Sequence, residues 1–404
     1  MRSSLRNLAS LAAPGIFLVM AGCGGGGGGG QDPTASFSGP NVQSVFVGPG
    51  PTNNVNLLFT TVTICEPGST SNCQSIDHVL IDTGSTGLRI ISSLLSPSLA
   101  LRQQSDAGGN PIVACGRFAD GYTWGPVKIA DVRLAGELAS SVPIQVVGDP
   151  AFSTVPADCS NTGSAENTAQ ALGANGLLGL GVFQHDCGAI CANSALAGGY
   201  YICPSSGCQP TQVGLTQQLQ NPVGMFSVDN NGIMISLPPI PPDGAVSASG
   251  FLVFGIGTQS NNGLGNAQVI PLNPDSGTFS TRLNSSPVYS NSFIDSGSNG
   301  LYFDLAGFPP CSSDPVFYCP ASTQNFSATN QGISGSPSIV NFQIANADAL
   351  FSAHPTFFAF DDLAGKGFSM NSFDWGLPFF YGRNVFTAIE GRDTPAGVGP
   401  FVAY

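Results

Sequence analysis

Two short stretches of this chain carry residues able to do acid–base chemistry, and they read almost alike. The first is Val79-Leu80-Ile81-Asp82-Thr83-Gly84-Ser85-Thr86-Gly87-Leu88-Arg89-Ile90. The second is Ser292-Phe293-Ile294-Asp295-Ser296-Gly297-Ser298-Asn299-Gly300-Leu301-Tyr302-Phe303. Each puts an aspartate after an apolar run, then a glycine between small hydroxyl residues, then apolar residues again. That is the pattern of a strand, a tight turn and a second strand. One copy is a turn that any β protein can contain. Two copies, one in each half, point to a duplicated unit that presents one carboxylate from each half.

If Asp82 and Asp295 meet, like charges at short range oppose double ionisation and the pair titrates as a unit. The ionised carboxylate can take a proton from a water while the neutral one donates to a substrate carbonyl, with no covalent enzyme intermediate. Thr83, Gly84, Ser85, Ser296, Gly297 and Ser298 would support the pair. Ser85 and Ser298 can hydrogen-bond within their turns, and Gly84 and Gly297 supply N–H groups and leave room for a water.

Other chemistries find little footing. The histidines are His78, His185 and His354, scattered without metal-ligand spacing, so neither a metal nor a cofactor is expected. Neither Ser85 nor Ser298 has the flanking glycines of a Gly-x-Ser-x-Gly nucleophile elbow. Gly176-Leu177-Leu178-Gly179-Leu180-Gly181 has no lysine and no glycine spacing for a phosphate. A glycosidase also uses two carboxylates, but that chemistry does not ask for duplicated Asp-Gly turns. The net charge is -13 and the only lysines are Lys128 and Lys366, so a nucleic-acid footprint is excluded.

The elements that must position the two turns follow from composition and pattern. The chain has 404 residues, enough for two domains, and is 42% hydrophobic and 9% charged, which excludes a disordered polyelectrolyte. No long apolar stripe of helical period occurs beyond the N-terminal segment, so an all-β protein is expected. Strands are expected at Val42–Val47, Val55–Ile64, Ile76–Ile81, Val127–Leu134, Val142–Val147, Met225–Val228 and Ile233–Leu237. A hairpin is expected over Phe118–Val127 and a short helix over Val213–Leu219. The second half opens with Phe251–Gly257 and closes with a terminal strand. The join falls within 224–250, giving an N-terminal lobe over 42–237 and a C-terminal lobe over 238–404.

The N-terminus reads as a targeting segment. Arg2 and Arg6 precede an apolar stretch from Leu8 to Met20, too short to span a bilayer, which ends in Met20-Ala21-Gly22-Cys23. Residues 1–22 are expected to be a lipoprotein signal peptide. Residues 23–41 are then a lipidated Cys23 followed by the flexible tether Gly24–Gly30 and a polar leader. No room remains there for a folded pro-segment. The expected location is the bacterial cell envelope, anchored at the outer membrane. Setting Cys23 aside leaves ten cysteines, an even number that suits up to five disulfides in an exported chain. Cys65 with Cys73 and Cys311 with Cys319 close short loops. Cys187, Cys191, Cys203 and Cys208 can pair among themselves, leaving Cys115 with Cys159. The rival reading of that four-cysteine cluster is a zinc site.

On these residues the chain resembles the pepsin-like aspartic peptidases, and more closely a family of bacterial lipoproteins (DUF3443) similar to a divergent branch of them. The resemblance covers about residues 42–404. It rests on Asp82-Thr83-Gly84-Ser85 and Asp295-Ser296-Gly297-Ser298, on Gly176–Gly181, and on Trp375-Gly376 followed by Pro378-Phe379. It implies two duplicated β-barrel-like lobes with a cleft between them, a polypeptide substrate in that cleft, and an aspartic endopeptidase. By the register of Gly121 and Gly125, the place of the family's flap tyrosine falls on Phe118, with Tyr122 and Trp124 nearby. The usual tryptophan after the first aspartate is Arg89, which would put a cation near the site. The alternative implied by these two departures is a non-catalytic peptide- or ligand-binding lipoprotein on the same scaffold. A monomer is expected in either case.

Overall fold

The computed structural model describes residues 37–284 and 288–404, so the expected signal peptide, Cys23 and the glycine tract lie outside the described residues. The described chain is a two-lobed, mostly β structure with a curled sheet in each half. The longest helix among the described residues is Ala347–Ala353.

The two halves repeat one local topology around their aspartates. In the first, Gly176–Leu180 lies parallel to Cys73–Asp82 and antiparallel to Thr86–Ile91, with Gly179 opposite both Asp82 and Gly87. In the second, Phe373–Trp375 lies parallel to Val288–Ile294 and antiparallel to Leu301–Phe303. Strands covered on both faces read as continuous apolar runs rather than alternating ones. Gly176–Leu180 and Thr86–Ile91 are buried throughout, as that rule requires. Both braces need a glycine at the point of closest approach. A Cβ on Gly179 would stand 2.7 Å from the Thr86 backbone, and one on Gly376 would stand 2.1 Å from the Gly300 carbonyl oxygen.

A sheet shared by the two halves sets the lobes against each other. Its strands pair antiparallel in the order Val42–Val47, Ala248–Phe254, Gly232–Leu237, Arg383–Ala388, Phe401–Ala403 and Val269–Pro271. The residues on either side of the expected join at 237 and 238 therefore flank one hairpin within this sheet. The expected tether also overlaps packed chain. Phe37 is buried against Phe251, and the Asn41 side-chain N–H donates to the Phe254 carbonyl.

The strand that delivers Asp82 is bent on the way. Its pairing with Leu58–Cys65 slips between Thr60 and Val62, and His78 takes a left-handed backbone with φ 49°. A bulge of this kind re-aims the strand beyond it. The His78 ring packs against Phe46 and Phe59, and Asn175 N donates to the His78 carbonyl, which holds the bend against the bracing strand.

Five disulfides staple the loops: Cys65–Cys73, Cys115–Cys159, Cys187–Cys191, Cys203–Cys208 and Cys311–Cys319. The cluster from Cys187 to Cys208 thus pairs between sequence neighbours and offers no thiolate for zinc. Two local expectations need correction. Met225–Val228 is not a strand, because Pro222 starts a 3-10 turn over Pro222–Met225 whose cap is the Asn221 side chain accepting from Val223 N. The helix expected over Val213–Leu219 is reduced to a 3-10 turn at Leu215–Gln217.

Candidate active site

Asp82 and Asp295 meet where the two turns face each other, close enough for both to accept from the same backbone N–H. Gly84 N–H lies between them, donating to Asp82 Oδ1 at 2.8 Å and to Asp295 Oδ1 at 3.1 Å. Ser85 N–H (3.1 Å) and the Ser85 hydroxyl also donate to Asp82. Asp295 accepts from Gly297 N–H at 2.8 Å and from the Ser298 hydroxyl at 3.0 Å. The glycines are dictated by space. A Cβ on Gly84 would lie 2.7 Å from Asp295 Cγ, and one on Gly297 would lie 3.0 Å from Asp82 Cγ.

Beneath the carboxyls the turns are cross-linked by a reciprocal pair of hydroxyls. Thr83 Oγ1 accepts from Ser296 N (2.9 Å) and donates to the Ile294 carbonyl (3.1 Å). Ser296 Oγ accepts from Thr83 N (3.2 Å) and donates to the Ile81 carbonyl (2.8 Å). Both side chains are buried. Each hydroxyl thus satisfies one N–H and one carbonyl of the opposite half, and fixes the spacing of the aspartates that precede them. Buried Asn56 adds a further bridge, donating to the Asn299 and Phe360 carbonyls of the second half.

Burial, then the negative charges of Asp82 and Asp374, hold the Asp295 carboxyl well above the ordinary carboxylate range. Asp82 accepts from three donors of its own turn. Asp82 is buried, whereas Gly84 is exposed and Asp295 partly so. A cavity of about 320 Å³ lies beside the first turn, lined by Thr83, Gly84 and Ser85 but by neither aspartate. Its walls come from both halves, with Thr83, Ser85, Val182 and Phe183 on one side and Phe279 and Phe293 on the other.

The expected flap is the hairpin of Ile112–Arg117 with Gly121–Leu134, and Cys115–Cys159 ties it to the short helix Ala157–Ser160. Its three aromatics do not act together. Successive residues of a strand point to opposite faces. Tyr122 and Trp124 share one face with Cys115 and pack on Cys159 and Tyr201, and the Trp124 indole N–H donates to the Phe152 carbonyl at 2.8 Å. Both belong to the hairpin, as expected, and their side chains are buried in its core-facing side. Phe118 is half-buried, with the Arg89 guanidinium 5.4 Å from its ring centroid.

Arg89 is a buried cation on the strand that leaves the first turn. It is 4% exposed, donates to the Thr86 carbonyl and stands 3.7 Å from the Asp186 carboxylate. Asp186 in turn accepts from Tyr200, whose hydroxyl accepts from Leu219 N. The charge of Arg89 is therefore met by Asp186 inside the first half. Sequence reasoning missed this Asp186–Arg89–Phe118 chain, because Asp186 is remote in sequence and sits in a cysteine-rich loop. It also missed Asp374, although an acid between Phe373 and Trp375 in an apolar strand is a visible signal. Among the described residues the one cluster with metal-ligand spacing is Cys311, Cys319 and Asp348, and both its sulfurs are joined in a disulfide.

Fold and site together define a two-lobed β protein, built around a local duplication, that brings one carboxyl from each half to a shared backbone N–H. The chain belongs to the family described as "Protein of unknown function (DUF3443)", whose model matches residues 38–404. No curated protein matches the chain.

Proposed function

We propose that the protein is an aspartic-type endopeptidase that hydrolyses peptide bonds by activating water between Asp82 and Asp295. The observation that carries this reading is the pair of carboxylates, one from each of two similar turns, that accept from the same Gly84 N–H. The resemblance of both Asp-x-Gly-Ser turns and their glycine-braced strands to pepsin-like peptidases supports it. In the proposed reaction Asp82 takes a proton from water and the hydroxide attacks the scissile carbonyl carbon. Asp295 gives its proton to the carbonyl oxygen, forming a gem-diol. Collapse returns one diol proton to Asp295 while Asp82 passes its proton to the leaving amine, so the pair ends as it began.

The proposed setting is the bacterial cell envelope, with Cys23 lipidated and the outer membrane as anchor. Five disulfides suit an oxidising compartment. A monomer suffices, because one chain supplies both carboxyls. A second reading, a peptide-binding lipoprotein without catalysis, is favoured by Phe118, which has no hydroxyl to offer and is engaged by Arg89. A statine peptide, whose hydroxyl imitates the gem-diol, separates the two. The peptidase reading expects it to bind on the order of 100-fold tighter than its deoxy counterpart, and to lose that advantage in Asp295→Asn. Equal binding of both peptides would favour the scaffold.

A further inference from the structure

A second cavity, of about 330 Å³, opens in the second half of the chain. It touches the strands around Asp295 only at Leu301 and Trp375, and no residue of the two aspartate turns lines it. Three further segments wall it: residues 340–343 of the strand Ser338–Ile344, the acidic pair Asp361-Asp362, and residues from the stretch 378–383. The rings of Phe342, Phe379 and Trp375 are part of its lining. The cavity is thus an aromatic-walled space with two neighbouring carboxyls, set apart from the Asp82–Asp295 centre.

The polar groups of this lining do not satisfy one another. Asp362 is 6% exposed, and its Oδ1 has no hydrogen-bond partner among the described residues. A buried carboxyl oxygen left in this state is unfavourable, and such groups call for an explanation in the site they occupy. The backbone does not supply that explanation. The Asp362 carbonyl accepts from Ala345 N, a contact that any residue at this position would make. The neighbours that act on Asp362, Asp361 and Asp243, are both acidic. Arg383 is the one cation of the lining, and it is engaged elsewhere. Its Nη1 donates to the Phe379 carbonyl at 2.7 Å and to the Tyr381 carbonyl at 3.4 Å, and its guanidinium lies 4.7 Å from the Phe379 ring centroid. Its charge acts on Asp361. The Tyr381 hydroxyl donates to Asn56. Asp362 is therefore the acid that the lining leaves without a donor.

We propose that this cavity is a binding site for a primary ammonium group on a short apolar stem, with Asp362 as the acceptor and the aromatic lining taking the stem. The proposal does not rest on the peptidase reading. An ammonium carries three N–H donors and no acceptor, which is what the unpartnered oxygen lacks. Its charge offsets the acid that Arg383 leaves unmatched, and the resulting hydrogen bond is of the strong, charge-assisted kind. Methylenes pack on aromatic faces, and a ring face attracts the cation itself. An anion would be opposed by both carboxyls. A divalent ion asks for more oxygen ligands, and among the described residues Asp361 and Asp362 join no third acidic, histidine or cysteine group in a metal-binding cluster. Burial, with the charge of Asp361, raises Asp362 to about 7, so in mild acid the empty site holds a proton that the ammonium displaces.

The test is a titration of the full chain with n-butylamine near pH 8, followed through its two indole N–H resonances. Trp375 lines the cavity and Trp124 does not, and Trp124→Phe assigns them. The control is n-butanol, which has the same stem and no charge. Butylamine should shift Trp375, leave Trp124 in place and bind about tenfold or more tighter than butanol. Its binding should weaken by about tenfold near pH 6, and its advantage over butanol should be lost in Asp362→Asn. Equal binding of amine and alcohol, or no shift of Trp375 with the amine, overturns the inference, as does undiminished amine binding in folded Asp362→Asn. The comparison of amine with alcohol needs no variant, so it decides the question even where Asp362→Asn does not fold. Nα-acetyl-lysine N-methylamide carries the same amine on a peptide backbone. Binding like that of butylamine would uphold the site as one for a lysine side chain, and binding of butylamine alone would uphold it as one for a free amine. Peptide cleavage enters none of these readouts, so the outcome is independent of whether Asp82 and Asp295 are catalytic.

Discussion

Replacing Thr83 by valine isolates the element that sets the two aspartates at their spacing. Valine keeps the branched shape and removes Oγ1, which accepts from Ser296 N at 2.9 Å and donates to the Ile294 carbonyl at 3.1 Å. Thr83 and Ser296 are both buried, so the Ser296 N–H is left without an acceptor. An orphaned buried donor costs roughly 1–3 kcal/mol, and a lost hydroxyl–carbonyl bond roughly 0.5–1.5 kcal/mol. Thr83→Val should therefore destabilise the protein by about 2–4 kcal/mol. Thr83→Ser keeps the hydroxyl and should recover most of that. Urea unfolding gives the stability, and hydrogen exchange at the Ser296 amide reports the orphaned group directly. The reciprocal Ser296 contacts remain in Thr83→Val, so the halves should loosen without separating. A loss below about 0.5 kcal/mol, with the Ser296 amide still protected, would refute the view that this hydroxyl pair holds the centre together.

Two more outcomes follow from the same geometry. Gly84→Ala puts a Cβ 2.7 Å from Asp295 Cγ, so the carboxyl must move. Peptide cleavage should then fall by about 100-fold or more, and wild-type turnover in this variant would contradict the close approach. The protein should also be more stable in mild acid than in mild base. Burial, with the charge of Asp120, raises Glu166 to about 8. Burial, with Asp361, raises Asp362 to about 7. Burial raises Asp186 to about 6 against the pull of Arg89 and Tyr200. In the unfolded chain these groups titrate near 4, so between about pH 4 and 8 the folded protein binds more protons. Their contribution is complete below the unfolded values and is lost as pH rises through the folded ones. The thermal midpoint should climb as pH is lowered from 8 to 5, and Glu166→Gln should flatten the upper part of that curve. A midpoint that falls instead would show the assigned directions to be wrong.

The two aspartate turns were legible because the chemistry is local. A strand, a carboxylate, a glycine and a hydroxyl must follow one another, and the chain states that order twice. The bracing segments were legible for a related reason, since Gly179 and Gly376 sit where another backbone leaves no room for a side chain. Cysteine spacing outlined Cys65–Cys73 and Cys311–Cys319 because their loops are short, and left Cys115–Cys159, 44 residues apart, to elimination. What stayed hidden depends on contacts between distant segments. The shared sheet is assembled from strands scattered between Val42 and Ala403, and no periodicity announces that they are neighbours. Arg89 read as a cation near the site, since nothing in the sequence ties it to Asp186. Tyr122 and Trp124 read as flap residues because composition marks a hairpin, whereas which face they take depends on the pairing of Cys115 with Trp124. Asp374 was masked by its aromatic neighbours.

The most direct measurement is peptide-library cleavage by the purified chain, scanned from acidic to neutral pH beside Asp82→Asn and Asp295→Asn. The carboxyl pair predicts cleavage with an acidic optimum that either substitution abolishes. A folded, fully disulfide-bonded protein that cleaves nothing at any pH, or cleavage that survives both substitutions, would contradict catalysis by Asp82 and Asp295.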